Sequence, residues 1–162
     1  MKYRKLNIRE LEDLREDFVH FLSANSITAD DWVKIKKVDP DAAERMIEVF
    51  SDIVWEKVLS NIRYLRFVNP QALRVIHFGE EKAELIQLEI KDESFNLSDQ
   101  ENIRSMAEGS LDLNRFDPEM TTGSKKYSID RDREVFIHLE QGWQPAKEVF
   151  WAALSSMIVK DS

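Results

Sequence analysis

The sequence has no cysteine. That one absence removes a disulfide framework, a thiolate zinc site and a cysteine nucleophile together. It also lacks any apolar run of about 18 residues, so no segment reads as a membrane span. The N-terminus, Met1-Lys2-Tyr3-Arg4-Lys5-Leu6, is basic, but Asn7-Ile8-Arg9-Glu10 follows where a signal peptide would place its apolar stretch. With no disulfides to protect, the chain reads as cytoplasmic. The phosphate loop, G-x-G-x-x-G, G-x-S-x-G and H-E-x-x-H are all missing, as are internal repeats and low-complexity tracts.

What is present is an ordinary globular composition with a heavily ionised surface. Hydrophobic residues make up 43% and charged residues 33% of 162 positions, enough to bury a core and too apolar for a disordered chain. The net charge is −8, unevenly spread. Residues 1–61 carry 10 basic and 13 acidic side chains, 62–91 carry 5 and 4, and 92–162 carry 8 and 14. Acidic flanks around a near-neutral middle exclude duplex nucleic acid as a partner, because affinity there rests on neutralising phosphates.

The residues divide the single expected domain, 1–162, into three stretches. Residues 8–60 read as helices. Asn7 and Glu10 form a capping box ahead of Leu11, Leu14, Phe18, Phe21 and Leu22. Thr28 with Asp31 starts a second helix, and Asp39-Pro40 starts a third that runs to Ser60. Residues 62–91 change period to short β-rich runs, Ile62–Val68, Leu73–Phe78 and Ala83–Ile90, expected as a three-stranded antiparallel meander. Residues 92–162 are polar and helical. A helix capped at Ser98 ends at Gly109, the 110–128 segment shows no period, and helices follow over Asp130–Gln141 and from Pro145. The fold class is therefore α+β, with N-terminal helices, the meander, and C-terminal helices packed on one sheet face. Ile86, Leu88 and Ile90 are expected to face Phe18, Phe50 and Val54.

Few residues point to chemistry. His20, His77 and His138 lie on three separate predicted elements, so no local metal pair exists and no metal or cofactor is expected. Asp130-Arg131-Asp132-Arg133-Glu134 begins like a calcium loop, but Val135 stands where glycine is needed and Gln141 where glutamate is needed. Those carboxylates suit a helix start. No catalytic residue is assigned. Tyr64, Arg66, Arg74 and His77 are strand residues; parity groups Tyr64 with Arg66 and, separately, Val75 with His77, and some of them line a candidate polar platform for a ligand or peptide if the face carrying Gln87 and Glu89 is open. Lys125, Lys126 and Tyr127, led by Gly123 and Ser124, form a basic loop suited to a phosphate or an acidic peptide. Trp143, just after the helix-ending Gly142, is the expected exposed interface anchor.

The opening Met1–Leu6, the stretch Asp30-Asp31-Trp32-Val33-Lys34-Ile35-Lys36, the helix from Ile47 to Leu59 and the loop from Gly123 to Tyr127 resemble a family of small acidic bacterial proteins, a domain of unknown function. The resemblance spans nearly the whole chain and implies a stand-alone bacterial protein. It supplies no activity, cofactor or site.

The leading functional expectation is a non-enzymatic interaction or regulatory protein with a protein partner. An immunity-type protein that neutralises a basic toxin is one version of it. A small-molecule-binding protein or enzyme using the sheet face is the alternative, and a structural or homo-oligomeric subunit is the third.

Overall fold

Asn7 and Thr28 start their helices through reciprocal side-chain bonds, each accepting the N–H of Glu10 or Asp31 while that residue's carboxylate accepts the cap's own N–H. The computed structural model that shows this describes residues 1–161, with side chains through Ile158. The chain divides into two compact units, one ending at Leu59 and one beginning at Ser60.

In the first unit, α1 (Ile8–Asp13) and α2 (Arg15–Ala24) replace the one helix expected there. The backbone leaves the helical region at Leu14 (φ −105°, ψ 23°), and α2 then places Phe18 and Phe21 against Phe50, 5.0 and 5.4 Å between ring centres. Next come α3 (Ala29–Val38), whose Trp32 packs edge-on to Phe18, and α4 (Pro40–Asn61). Asp39 caps α4 by accepting the Ala42 N–H, as its place before a proline predicts. The extended residues before α1 lie along α4. The Asp52 carboxylate accepts the N–H groups of Lys2 and Tyr3, and the Trp55 indole donates to the Arg4 carbonyl.

The second unit is built on one five-stranded antiparallel sheet, ordered β4-β3-β2-β1-β5. Its strands are β1 (Tyr64–Asn69), β2 (Ala72–Phe78), β3 (Lys82–Glu89), β4 (Glu119–Lys126) and β5 (Gln144–Pro145). The expected meander forms its centre, and two further strands extend it. β4 lies inside the segment read as having no regular structure. Only Met120 of its eight residues is even partly covered, so the strand has no apolar alternation to betray it. β5 is two residues long, too short for any pattern.

Around the sheet lie α5 (Gln100–Ala107), a 3-10 turn (Leu113–Phe116), α6 (Arg131–Glu140) and α7 (Glu148–Asp161). The helix start expected at Ser98 is one residue later, at Asp99, and the one expected near Pro145 falls at Glu148, because β5 takes up the proline. Gly109 (φ +72°) and Gly142 (φ +97°) follow α5 and α6 in the left-handed region that glycine tolerates.

Leu73, Val75, Ile86, Leu88 and Ile90 form a core with Met106, Leu113, Phe150, Leu154 and Met157. Within the second unit this face is covered by α5, α7 and the 3-10 turn. The placing of all C-terminal helices on one face fails. His138 of α6 packs edge-on to Phe78, and Trp143, just beyond α6, packs on Phe67, both on the opposite face. The polar positions Gln87 and Glu89 make that face look wet in sequence. Leu65, Ile76 and Phe78 from the neighbouring strands make it apolar, and burying them needs a helix.

The β3–β4 ladder is unusual at its ends. Lys82 stands opposite Lys126, and Glu89 stands opposite Glu119. Like charges directly across a ladder repel, and Lys91 offsets part of the second pair from 3.8 Å.

Candidate functional site

The register sorts the sequence-derived candidates. Tyr64 pairs with His77, Arg66 with Val75, and Arg74 with Gln87. Tyr64, Arg66 and His77 therefore share the Ile86–Leu88 face, under α7, while Arg74 lies on the other. The platform on the Gln87–Glu89 face is corrected accordingly: it contains only Arg74 of the four, and Arg74 Nε donates to Gln87 Oε1 at 2.8 Å.

Tyr64 and His77 stack at 4.9 Å, with Trp151 of α7 at 6.2 and 5.6 Å from their rings. Glu84 Oε1 lies 3.9 Å from His77 Nδ1. Burial pushes the Tyr64 phenol above its ordinary value, and the Glu148 charge adds to this. These three rings pack on one another between β1, β2 and α7.

The basic loop is not a loop. Lys125 and Lys126 belong to β4, and Lys125 is engaged by Glu134 at 2.7 Å. The Tyr127 hydroxyl donates to the Gly79 carbonyl at 2.7 Å, with the Lys82 carbonyl at 3.1 Å, which fastens the β2–β3 turn. Trp143 is half-buried against Phe67 and His138, at 5.6 and 5.4 Å. Among the described residues no group of three metal-ligating side chains occurs, and no helix is long and apolar enough to cross a membrane.

Arg66 stands apart from the others. It is partly buried in β1, and its guanidinium carbon lies 4.9 Å from the centre of the Phe150 ring. Among the described residues no carboxylate pairs with it and no acceptor takes its N–H groups. Loss of solvent is the cause that lowers its pKa, as burial of a cation does when no anion compensates. Beside it opens a cavity of about 190 Å³ lined by Arg66, Phe67, Val68, Ser98, Ile103, Gly142 and Gln144. Gln144 is directly opposite Arg66 on β5. Ser98 and Ile103 flank the start of α5, whose N-cap Asp99 makes no side-chain cap, so the first-turn N–H groups add positive potential at the rim.

Sequence reasoning reaches Arg66 but misses Ser98, Ile103 and Gln144. They come from a loop, a helix and a two-residue strand whose meeting depends on β5 pairing with β1. The only signal in the sequence is an arginine set among the apolar residues Leu65, Phe67 and Val68.

A family model described as "Family of unknown function (DUF6495)" matches residues 1–159. The chain belongs to that family. No curated protein and no solved structure matches it. Membership of the family brings no activity with it, so the pocket's own chemistry has to carry the functional reading.

Proposed function

We propose that the protein binds a small anionic ligand through Arg66, in the cavity between β1, β5 and the start of α5. One observation carries this reading: a partly desolvated guanidinium lines a cavity, and no anion among the described residues satisfies it. Its planar fork of donors matches the two oxygens of a carboxylate or phosphoryl group. The Gln144 amide, opposite on β5, is placed to add a neutral donor. Binding fits better than catalysis, because Arg66 is the one ionisable group among the lining residues, and the Ser98 hydroxyl beside it donates to an amide oxygen of Asn96 rather than to a base.

Calorimetric titration of the wild type and of Arg66→Gln with a panel of small carboxylates and inorganic phosphate tests this. We expect saturable binding to the wild type and at least a tenfold loss in a folded Arg66→Gln. Equal heats for the two proteins would sink the proposal.

The first unit supports a second reading, a protein-interaction role. Val49 and Ile53 are exposed one turn apart on α4, beside a groove lined by Phe21, Ile35 and Met46, and Val38 is 84% exposed. A Val49→Lys, Ile53→Lys double variant that retains every partner captured by the wild type would remove that surface from consideration.

A further inference from the structure

We infer that two copies of this chain pair through their β4 strands, antiparallel and centred on Thr122, so that their sheets join into one. The surface lies at the opposite edge of the sheet from β1, β5 and Arg66, and it stands independently of anion binding.

The two edges of the sheet differ. β5 closes one of them with two residues, too short to accept a further strand. β4 closes the other with eight, Glu119–Lys126, in unbroken register with β3 and without proline. Seven of these eight residues are exposed. Among the described residues, no main-chain hydrogen bond beyond the β3 ladder involves them. Such an edge presents a row of unpaired N–H and C=O groups, which natural sheets cover, shorten, kink or guard with proline and lysine. Lysine is the one guard present here, and it stands at one end only, at Lys125 and Lys126. A strand added alongside satisfies the open main-chain groups.

Charge selects that strand. β4 begins with Glu119, opposite Glu89, and ends with Lys125 and with Lys126, opposite Lys82. A parallel copy would set like ends together. An antiparallel copy sets each acidic end against a basic one. A two-fold axis normal to the sheet places one residue opposite its own copy, so the residue on the axis fixes the register. Centred on Thr122, Glu119 falls opposite Lys125 of the second copy at both ends, Met120 falls opposite Ser124, and the two Thr122 residues face each other. Opposite charges and paired threonines are favourable cross-strand neighbours. Centred on Gly123, Lys125 would face Thr121 and Lys126 would face Met120, and no charge pair would form. Lys125 is bonded to Glu134 yet 56% exposed, and its ammonium group has donors for a second carboxylate.

Gly123 is the second observation. It sits inside β4 without a positive φ, and a Cβ built on it meets nothing within 4 Å. Neither its backbone conformation nor its own neighbours ask for glycine. Glycine within a strand marks the close approach of another backbone, and here it would lie beside the axis, opposite Thr121 of the second copy.

The chain has no cysteine, so one thiol introduced on β4 can form a disulfide only between copies. Opposed residues of an antiparallel pair have Cα atoms about 4.5–5.5 Å apart, within the span of a disulfide. Thr122→Cys should therefore oxidise to a covalent dimer. Ser124→Cys should not, because its copy is displaced about 13 Å along the strand. Sedimentation equilibrium of the wild type should give a mass that rises with concentration toward two chains. Glu119→Lys, checked for native circular dichroism, sets lysine against Lys125 and should weaken association at least tenfold. A wild type that remains one chain at every concentration would overturn the proposal. So would association untouched by Glu119→Lys, or Ser124→Cys cross-linking as readily as Thr122→Cys.

Discussion

Lys125 Nζ lies 2.7 Å from the Glu134 carboxylate, whose side chain is only 6% exposed, so a lysine on the edge strand neutralises a charge held at the start of α6. Burial raises the Glu134 pKa. The hydrogen bond and charge of Lys125, with bonds from Ser128, outweigh it and leave the carboxyl below its ordinary 4.5. A depressed folded-state pKa gives stability that is present above the unfolded value and lost as pH falls through the folded one. Lys125→Met strands the carboxylate and should cost about 1–3 kcal/mol at pH 7. The cost should shrink as the pH drops below 4.5 and Glu134 takes a proton. Urea melts at pH 7 and pH 4 check this; an equal penalty at both would show that the pair is not its source.

Ser51 holds the N-terminal extension to α4. Its fully buried hydroxyl accepts the Leu6 N–H at 3.0 Å and donates to the Ile47 carbonyl at 2.7 Å. Ser51→Ala leaves the Leu6 N–H unsatisfied beside a buried side chain. The expected loss is about 1–3 kcal/mol, read by chemical denaturation. Ser51→Thr should recover part of it by restoring the acceptor.

Removing the Tyr127 hydroxyl should act locally. Tyr127→Phe deletes the bond to the turn at Gly79 and Lys82, for about 0.5–1.5 kcal/mol. Amide exchange should quicken around 79–82 and stay unchanged in the helices of the first unit. Uniform acceleration would show that the hydroxyl matters globally.

Arg66 should behave oppositely to a structural arginine. A partly buried cation that no carboxylate among the described residues pairs with costs folding energy, and residues kept for binding are often replaced at no loss of stability. Arg66→Met keeps the bulk and should leave the melting temperature unchanged or raise it, while anion binding disappears. A loss above about 2 kcal/mol would assign Arg66 to packing on Phe150 instead.

The residues legible in sequence were those whose role is local. The caps at Asn7, Thr28 and Asp39, the central meander and the glycine after α6 follow from neighbours a few positions away. What escaped depends on distant partners. β4 takes its register from β3, so Thr121–Lys126 carry no pattern of their own. Gln144 joins Arg66 only because β5 pairs with β1 across some eighty residues of chain. Arg66 was visible as a strand arginine. Its lack of a counter-charge among the described residues was not, because that is a property of everything packed around it.

The paired like charges at the two ends of the β3–β4 ladder make the edge strand answerable to ionic strength. At low salt, Lys82 against Lys126 and Glu89 against Glu119 push the edge strand away at both of its ends. Mobile ions weaken such repulsion between exposed side chains within a Debye length of about 10 Å at 0.1 M. Added sodium chloride weakens the repulsion at Lys126 and at Glu119 together with the attractions of Lys125 for Glu134 and of Lys91 for Glu119, and amide exchange at 119–126 reads which of the two prevails. The edge of this sheet is a balance of charges whose setting belongs to the solution around it as much as to the fold.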